Sequence, residues 1–129
     1  MKVLHVEDDD ASVRLVATFL RRRHDCERFT ARTGRVGLRL AHEVQPDLVL
    51  LDLGLPDMPG ETVLRRLRGP SPGPGVLVVV VSADASPATA ATVLAAGAAR
   101  VLTKPLALAE LEWWLDAAAA AVSRREQVS

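Results

Sequence analysis

The sequence predicts an α/β fold: a three-layer sandwich with a five-stranded parallel sheet and five helices. Three observations predict it. Short apolar runs alternate with stretches of helical periodicity along the whole chain. The runs at 48–51 and 76–81 are apolar at every position, which suits strands covered on both faces. Finally, 129 residues with 49% hydrophobic content fit one globular domain, burying roughly two-thirds of its unfolded surface.

Each element has its own signal. Residues 3–6 read as the first strand and run into the acids Glu7, Asp8, Asp9 and Asp10. Leu15, Val16, Phe19 and Leu20 mark one face of a helix, with Asp9 or Asp10 as its N-cap. Residues 27–31 form the second strand candidate. Val36, Leu40 and Val44 then fall at helical spacing, with Gln45-Pro46 as the stop. Residues 48–51 make the third strand, ending at Asp52. A loop at 55–60 leads into a short helix carrying Val63, Leu64 and Leu67. Residues 69–75, all Gly, Pro and Ser, read as a stiff surface connection. Residues 76–81 form the fourth strand, 87–96 a helix closed by Gly97, Val101-Leu102 the fifth strand, and 106–122 the last helix. In that helix Leu108, Leu111, Leu115, Ala118 and Val122 form the core stripe, so the adjacent Trp113 and Trp114 cannot both face it. The expected domain is 1–123, with 124–129 a tail or the start of a linker.

Sixteen Lys+Arg balance sixteen Asp+Glu, which argues against a nucleic-acid binder; no direct nucleic-acid partner is expected. No leader pattern opens the chain, and its apolar runs are too short for a bilayer. A single cysteine, Cys26, suits a reducing compartment and is expected to be inert, so a cytoplasmic location without membrane attachment is expected. His5, His24 and His42 have no mutual metal spacing. Arg has replaced Lys everywhere but at Lys2 and Lys104, which draws attention to Lys104 beside Pro105.

Ligands of such sheets bind beyond the carboxyl ends of the strands. The first strand ends in Glu7-Asp8-Asp9, the third in Asp52, the fourth in Ser82 and the fifth in Thr103-Lys104. Two like charges ~4 Å apart repel by about 4 kcal/mol at an effective dielectric near 20, so a cluster of carboxylates calls for a cation. Oxygen donors without His or Cys select a hard ion, and Mg²⁺ fits better than Zn²⁺. The Gly-rich phosphate loop of dinucleotide-binding sheets and the GxxxxGK[ST] loop are both absent. Taken singly, each residue has a plainer reading: a helix cap for 7–10, a turn for Asp52, a cap for Ser82, a solvated end for Lys104.

Together these residues carry a resemblance. Val6-Glu7-Asp8-Asp9, 46–53 ending in Leu51-Asp52-Leu53, Leu55-Pro56-Asp57-Met58-Pro59-Gly60, Val81-Ser82-Ala83 and Leu102-Thr103-Lys104-Pro105 occur in order and at the spacing of bacterial response-regulator receiver domains, a flavodoxin-like fold. The chain resembles that family from the first strand to the last helix. The resemblance implies a signalling phosphoacceptor, not a general enzyme. Asp52 would take a phosphoryl group from a sensor histidine kinase or a histidine phosphotransfer protein and switch a surface for an unidentified downstream protein. It implies that Asp8 and Asp52 hold Mg²⁺ directly, Glu7 through water, and Gly54 through its carbonyl. Lys104 would pair with Asp52 and then with a phosphoryl oxygen, Ser82 would donate its hydroxyl to another, and the Lys104–Pro105 bond would be cis.

One departure matters. Val101 stands where the family carries Tyr or Phe, whose ring rotation is part of its switch; here the loop from Ser82 to Ala88 and the fourth helix are expected to carry the signal. Symmetric dimerisation through the fourth helix, fifth strand and fifth helix is not expected, since Arg100 stands where an acid is common. The competing readings are a pseudo-receiver acting as a constitutive protein-binding adaptor and, last, a phosphohydrolase, which would want a second Asp at position 54 where Gly54 stands.

Overall fold

In the computed structural model, which describes residues 1–69 and 75–128, strands and helices alternate strictly: β1 (Lys2–Val6), α1 (Asp10–Arg21), β2 (Glu27–Ala31), α2 (Gly34–Val44), β3 (Leu48–Leu51), α3 (Gly60–Leu67), β4 (Leu77–Ser82), α4 (Pro87–Ala95), β5 (Arg100–Thr103) and α5 (Leu108–Val128). The strands form one sheet in the order β2-β1-β3-β4-β5, all parallel. Of the expected 69–75 connection, residues 70–74 lie outside the described residues.

The pleat sorts the core into two layers. Leu4, Val6, Val49, Leu51, Val78 and Val80 point to one face and meet Ala41 of α2, Val63, Leu64 and Leu67 of α3, and Val93 of α4. Val3, Leu48, Leu50, Val79, Val81 and Leu102 point to the other and meet Val16 and Leu20 of α1 and Leu111, Leu115 and Ala118 of α5. Each fully buried Leu or Val contributes about 1.5–3 kcal/mol, which is why the central strands have no polar alternation.

Local chemistry sets the ends. Asp9, rather than Asp10, caps α1: its carboxylate accepts from the Ser12 N–H at 2.9 Å and the Ser12 hydroxyl at 2.8 Å. Thr33 caps α2, and Gln45, at φ 53°, closes it in the left-handed region with its N–H on the Ala41 carbonyl.

Three helix expectations need correction. On α1 the buried face is Val13, Val16, Ala17 and Leu20, while Leu15 is 41% exposed. On α2 the fully buried positions are Gly34, Gly37 and Ala41, with Val36, Leu40 and Val44 only half-buried: small residues bring the helix close to the sheet, and a Cβ at Gly37 would lie 2.9 Å from Val6 Cγ2. On α5 the helix begins at Leu108, itself exposed, rather than at 106, and continues past the expected end at 122 to Val128. The Arg125 guanidinium holds that last turn to the Asp47 carboxylate at 2.7 Å. As expected, one tryptophan is exposed: Trp113 is open to solvent and makes a T-shaped contact with Trp114, which packs on the core, at 4.7 Å between ring centroids.

Candidate functional site

Register brings the carboxyl ends of four strands to one rim. Val6 pairs with Leu51, so Glu7 and Asp52 leave the sheet side by side, and the Asp52 N–H donates to the Val6 carbonyl at 3.0 Å. Ser82 pairs with Thr103, and the Lys104 N–H donates to the Ser82 carbonyl at 2.9 Å. The Lys104–Pro105 bond is cis.

The side chains converge. One carboxylate oxygen from each of Glu7, Asp8 and Asp52 lies within 4.8 Å of the others. Glu7, Asp52 and Ser82 are buried and Asp8 is exposed. Lys104 Nζ sits 2.5 Å from Glu7 Oε1 and 3.5 Å from Asp52 Oδ1, so the ammonium touches both acids. Gly54 lies on the open side of Asp52: a Cβ there would stand 3.9 Å from Asp52 Oδ2. The Ser82 hydroxyl accepts from the Asp84 N–H at 3.1 Å.

The electrostatics follow from burial. Desolvation pushes the Glu7 carboxyl above the usual range, against the hydrogen bond from Lys104, and the neighbouring Asp52 adds to the rise. Burial disfavours the Lys104 ammonium, but the bond to Glu7 and the Asp52 charge outweigh it and its pKa rises. His5, beneath the rim on β1, is lowered to about 4 by burial and by the Lys104 charge, and so is neutral at pH 7. A cavity of about 180 Å³ opens beside these groups, lined by His5, Glu7, Leu15, Val81, Lys104 and Leu106.

An oxygen-only set of three acids within one ion's reach, with no His or Cys in it, is a donor set that suits a hard divalent cation. The remaining histidines and Cys26 stand apart: His24 and His42 are exposed, and Cys26 is half-buried between α1 and β2.

Two supports come from residues that the sequence offered only as members of the 55–60 loop. The Asp57 carboxylate accepts from the Gly34 N–H at 2.8 Å and the Arg35 N–H at 2.9 Å, tying the loop after Asp52 to the start of α2. Those two N–H groups hold Asp57 below the usual carboxylate range. Gly60 lets α3 begin against the backbone of Asp52 and Leu53: a Cβ there would lie 2.5 Å from both the Asp52 carbonyl oxygen and Leu53 Cα. A Gly after Pro59 was the only signal.

The family described as the response regulator receiver domain matches residues 3–115. The chain belongs to that family. Among curated relatives it is similar to the transcriptional regulatory protein KdpE of Mycobacterium tuberculosis, 62% identical over 40 residues, which is 31% of this chain and 18% of that one. The chain therefore matches well under two-thirds of such a relative's length. Among solved structures, this receiver domain is similar to the signal receiver domain of a LuxO repressor protein from Vibrio parahaemolyticus, with TM-score 0.88, 26% identity and coverage of 99% and 96% of the two chains. It is also similar to the Mn(2+)-bound form of response regulator Rcp1, with TM-score 0.72, 28% identity and 85% of each chain covered. Among the described residues, no helix of the receiver domain is long and apolar enough to cross a membrane.

Proposed function

We propose that this receiver domain is a phosphoacceptor switch: Asp52 takes a phosphoryl group from a phosphohistidine on a sensor histidine kinase or a histidine phosphotransfer protein. The observation that carries the reading is the convergence of Asp52, Glu7, Asp8 and Lys104 on one rim, with the acceptor carboxylate buried but bordered by the open Gly54.

An Asp52 oxygen forms the new O–P bond as the P–N bond to imidazole breaks. The electron pair of that bond stays on the imidazole nitrogen, which takes up a proton from water. Glu7, Asp8, Asp52 and the carbonyl of Gly54 are the groups that would hold Mg²⁺, and bound Mg²⁺ supplies positive charge for the phosphoryl oxygens. Lys104 stands within 3.5 Å of the acceptor carboxylate and supplies a second positive charge through a charge-assisted bond. Ser82, buried at the same rim, offers one O–H donor. On this reading the domain catalyses only its own phosphorylation and dephosphorylation, works in the cytoplasm, and passes its state to another protein rather than to nucleic acid.

The test is intact-mass spectrometry of the protein with Mg²⁺ and acetyl phosphate, beside Asp52→Asn. Gain of one phosphoryl group by the parent only is the expected result. No gain, together with no Mg²⁺ binding, would overturn it in favour of a constitutive adaptor.

A further inference from the structure

Helix α4 is the least anchored helix on its face of the sheet. Only Val93 of its nine residues is fully buried, whereas α3 buries Gly60, Val63, Leu64 and Leu67. The segment Pro87–Ala95 carries no charged side chain, and Leu94 is 47% exposed. With so little apolar packing, the position of α4 depends on the hydrogen bonds at its ends.

Those at its N-terminus converge on Asp84. Asp84 Oδ1 accepts from the Ser86 N–H at 3.0 Å, and Oδ2 accepts from the Thr89 hydroxyl at 2.8 Å. The Ser86 hydroxyl caps the helix, accepting from the Thr89 N–H at 3.3 Å and donating to the Thr89 oxygen at 3.1 Å. The Asp84 N–H, in turn, donates to Ser82 Oγ. One residue thus touches the buried hydroxyl at the rim with its backbone and the start of α4 with its carboxylate. The Ser86 N–H and the Thr89 hydroxyl hold Asp84 below the usual carboxylate range, so it is ionised at neutral pH and its bonds are charge-assisted.

We propose that Asp84 is the positioning residue that couples the phosphorylation state of Asp52 to α4, through Ser82 Oγ, the Asp84 N–H, the Asp84 carboxylate and the Thr89 hydroxyl. The inference rests on the phosphoacceptor reading of Asp52. A serine hydroxyl has one proton to donate and two lone pairs. Turning that proton to a phosphoryl oxygen on Asp52 rotates the lone pairs with it, so the bond that the same oxygen accepts from the Asp84 N–H is re-aimed. The Asp84 carboxylate then shifts relative to Ser86 and Thr89, and the first turn of α4 follows. Val101, half-buried against the α2–α4 core, has no ring to rotate and no polar atom to take part, so the hydrogen-bonded route is the one this chain's residues provide.

The experiment reads two quantities on the same samples, parent, Asp84→Ala, Thr89→Val and Thr89→Ser, each with Mg²⁺ and with or without acetyl phosphate. Intact mass gives phosphoryl occupancy, and amide hydrogen exchange over residues 90–93 gives the response of α4. In the parent, phosphorylation should change that exchange at least about threefold, the scale on which one hydrogen bond acts. Asp84→Ala and Thr89→Val should gain the phosphoryl group as the parent does, yet show the same α4 exchange with and without donor. Thr89→Ser, which keeps the hydroxyl, should restore the response. Parent-like responses in Asp84→Ala and Thr89→Val, or a phosphorylated parent whose α4 exchange does not change, would overturn the coupling. No phosphoryl gain in the parent would overturn the acceptor reading and the coupling with it, and the mass measurement separates that case from the others.

Discussion

Lys104 Nζ lies 2.5 Å from Glu7 Oε1 and 3.5 Å from Asp52 Oδ1, so the lysine leans on the acid of β1 more than on Asp52, with which the family resemblance pairs it. Burial accounts for the preference. The Glu7 side chain is 1% exposed and that of Asp52 9%, and attraction to an ammonium strengthens as the local dielectric falls. Glu7 therefore has more to gain from the shared cation. The arrangement leaves Lys104 within reach of Asp52 while the deeper carboxylate is compensated.

Removing the ammonium strands that carboxylate. Lys104→Met should lower stability by about 1–3 kcal/mol, less than the 3–5 typical of a fully buried pair, because solvent screens the partly exposed lysine. The double variant Glu7→Gln/Lys104→Met should recover part of the loss, which makes the coupling readable as a double-mutant cycle in urea unfolding at pH 7. Additive losses in the two single variants would show that the contact contributes nothing.

The same lysine competes with any metal for the acids. Asp8, exposed at the rim, is not among the ion-pair partners of Lys104 and so reports on the metal more directly. Asp8→Asn should weaken Mg²⁺ binding by at least about tenfold, or ~1.4 kcal/mol, in titration calorimetry. Lys104→Met, which removes a competing positive charge, should strengthen it. Unchanged affinity in both variants would mean that Mg²⁺ binds elsewhere.

What the sequence made legible was whatever large apolar residues or strand ends signal directly. Leu48–Leu51 had to be a central strand, and Asp52 had to stand at its carboxyl end. The same logic brought Glu7, Ser82 and Lys104 to one rim. The helix faces were harder, because periodicity weights large residues, while the closest packing falls to small ones: Ala17 on α1, and Gly34, Gly37 and Ala41 on α2. Residues 124–129 read as a tail or the start of a linker, yet Arg, Glu and Gln are good helix formers, α5 runs on to Val128 and Arg125 finds Asp47 across the fold. The Asp84–Thr89 and Asp57–Gly34 bonds had no signal at all, since short polar residues near turns are common and only the fold decides which of them meet.

Gly60 offers a test of how tightly the Asp52 backbone is held. A methyl group there would meet the Asp52 carbonyl oxygen and Leu53 Cα at 2.5 Å, and backbone cannot swing aside as a flexible side chain can. Gly60→Ala should cost about 1–3 kcal/mol through overpacking. It should also slow phosphoryl gain at Asp52, measured by mass against time with acetyl phosphate. Gly75→Ala, with nothing within 4 Å of the added carbon, is the control and should stay within about 0.5 kcal/mol of the parent. Equal stabilities for the two variants would mean that α3 can move away from β3 without cost.

Cys26 should be unreactive for a reason that can be measured. Burial pushes its thiol from 9.0 up to about 11, and the Asp25 carboxylate, which accepts from Sγ at 3.4 Å, pushes the same way. The thiolate is the nucleophile, and a raised pKa means less of it. At pH 8 a thiol at 9.0 is about one-tenth ionised and one at 11 about one-thousandth, so alkylation of the folded protein should run on the order of 100-fold slower than in denaturing urea. Asp25→Asn removes the negative charge while keeping the side chain's shape, and should speed alkylation of the folded protein at the same pH. Its Arg23 partner, held by Asp25 at 2.8 Å and by Asp116 of α5 at 2.9 Å, keeps the second of these contacts in the variant. A change in rate without a change in the unfolding midpoint would then belong to the thiol's ionisation, whereas equal rates in parent and variant would leave burial as the sole cause.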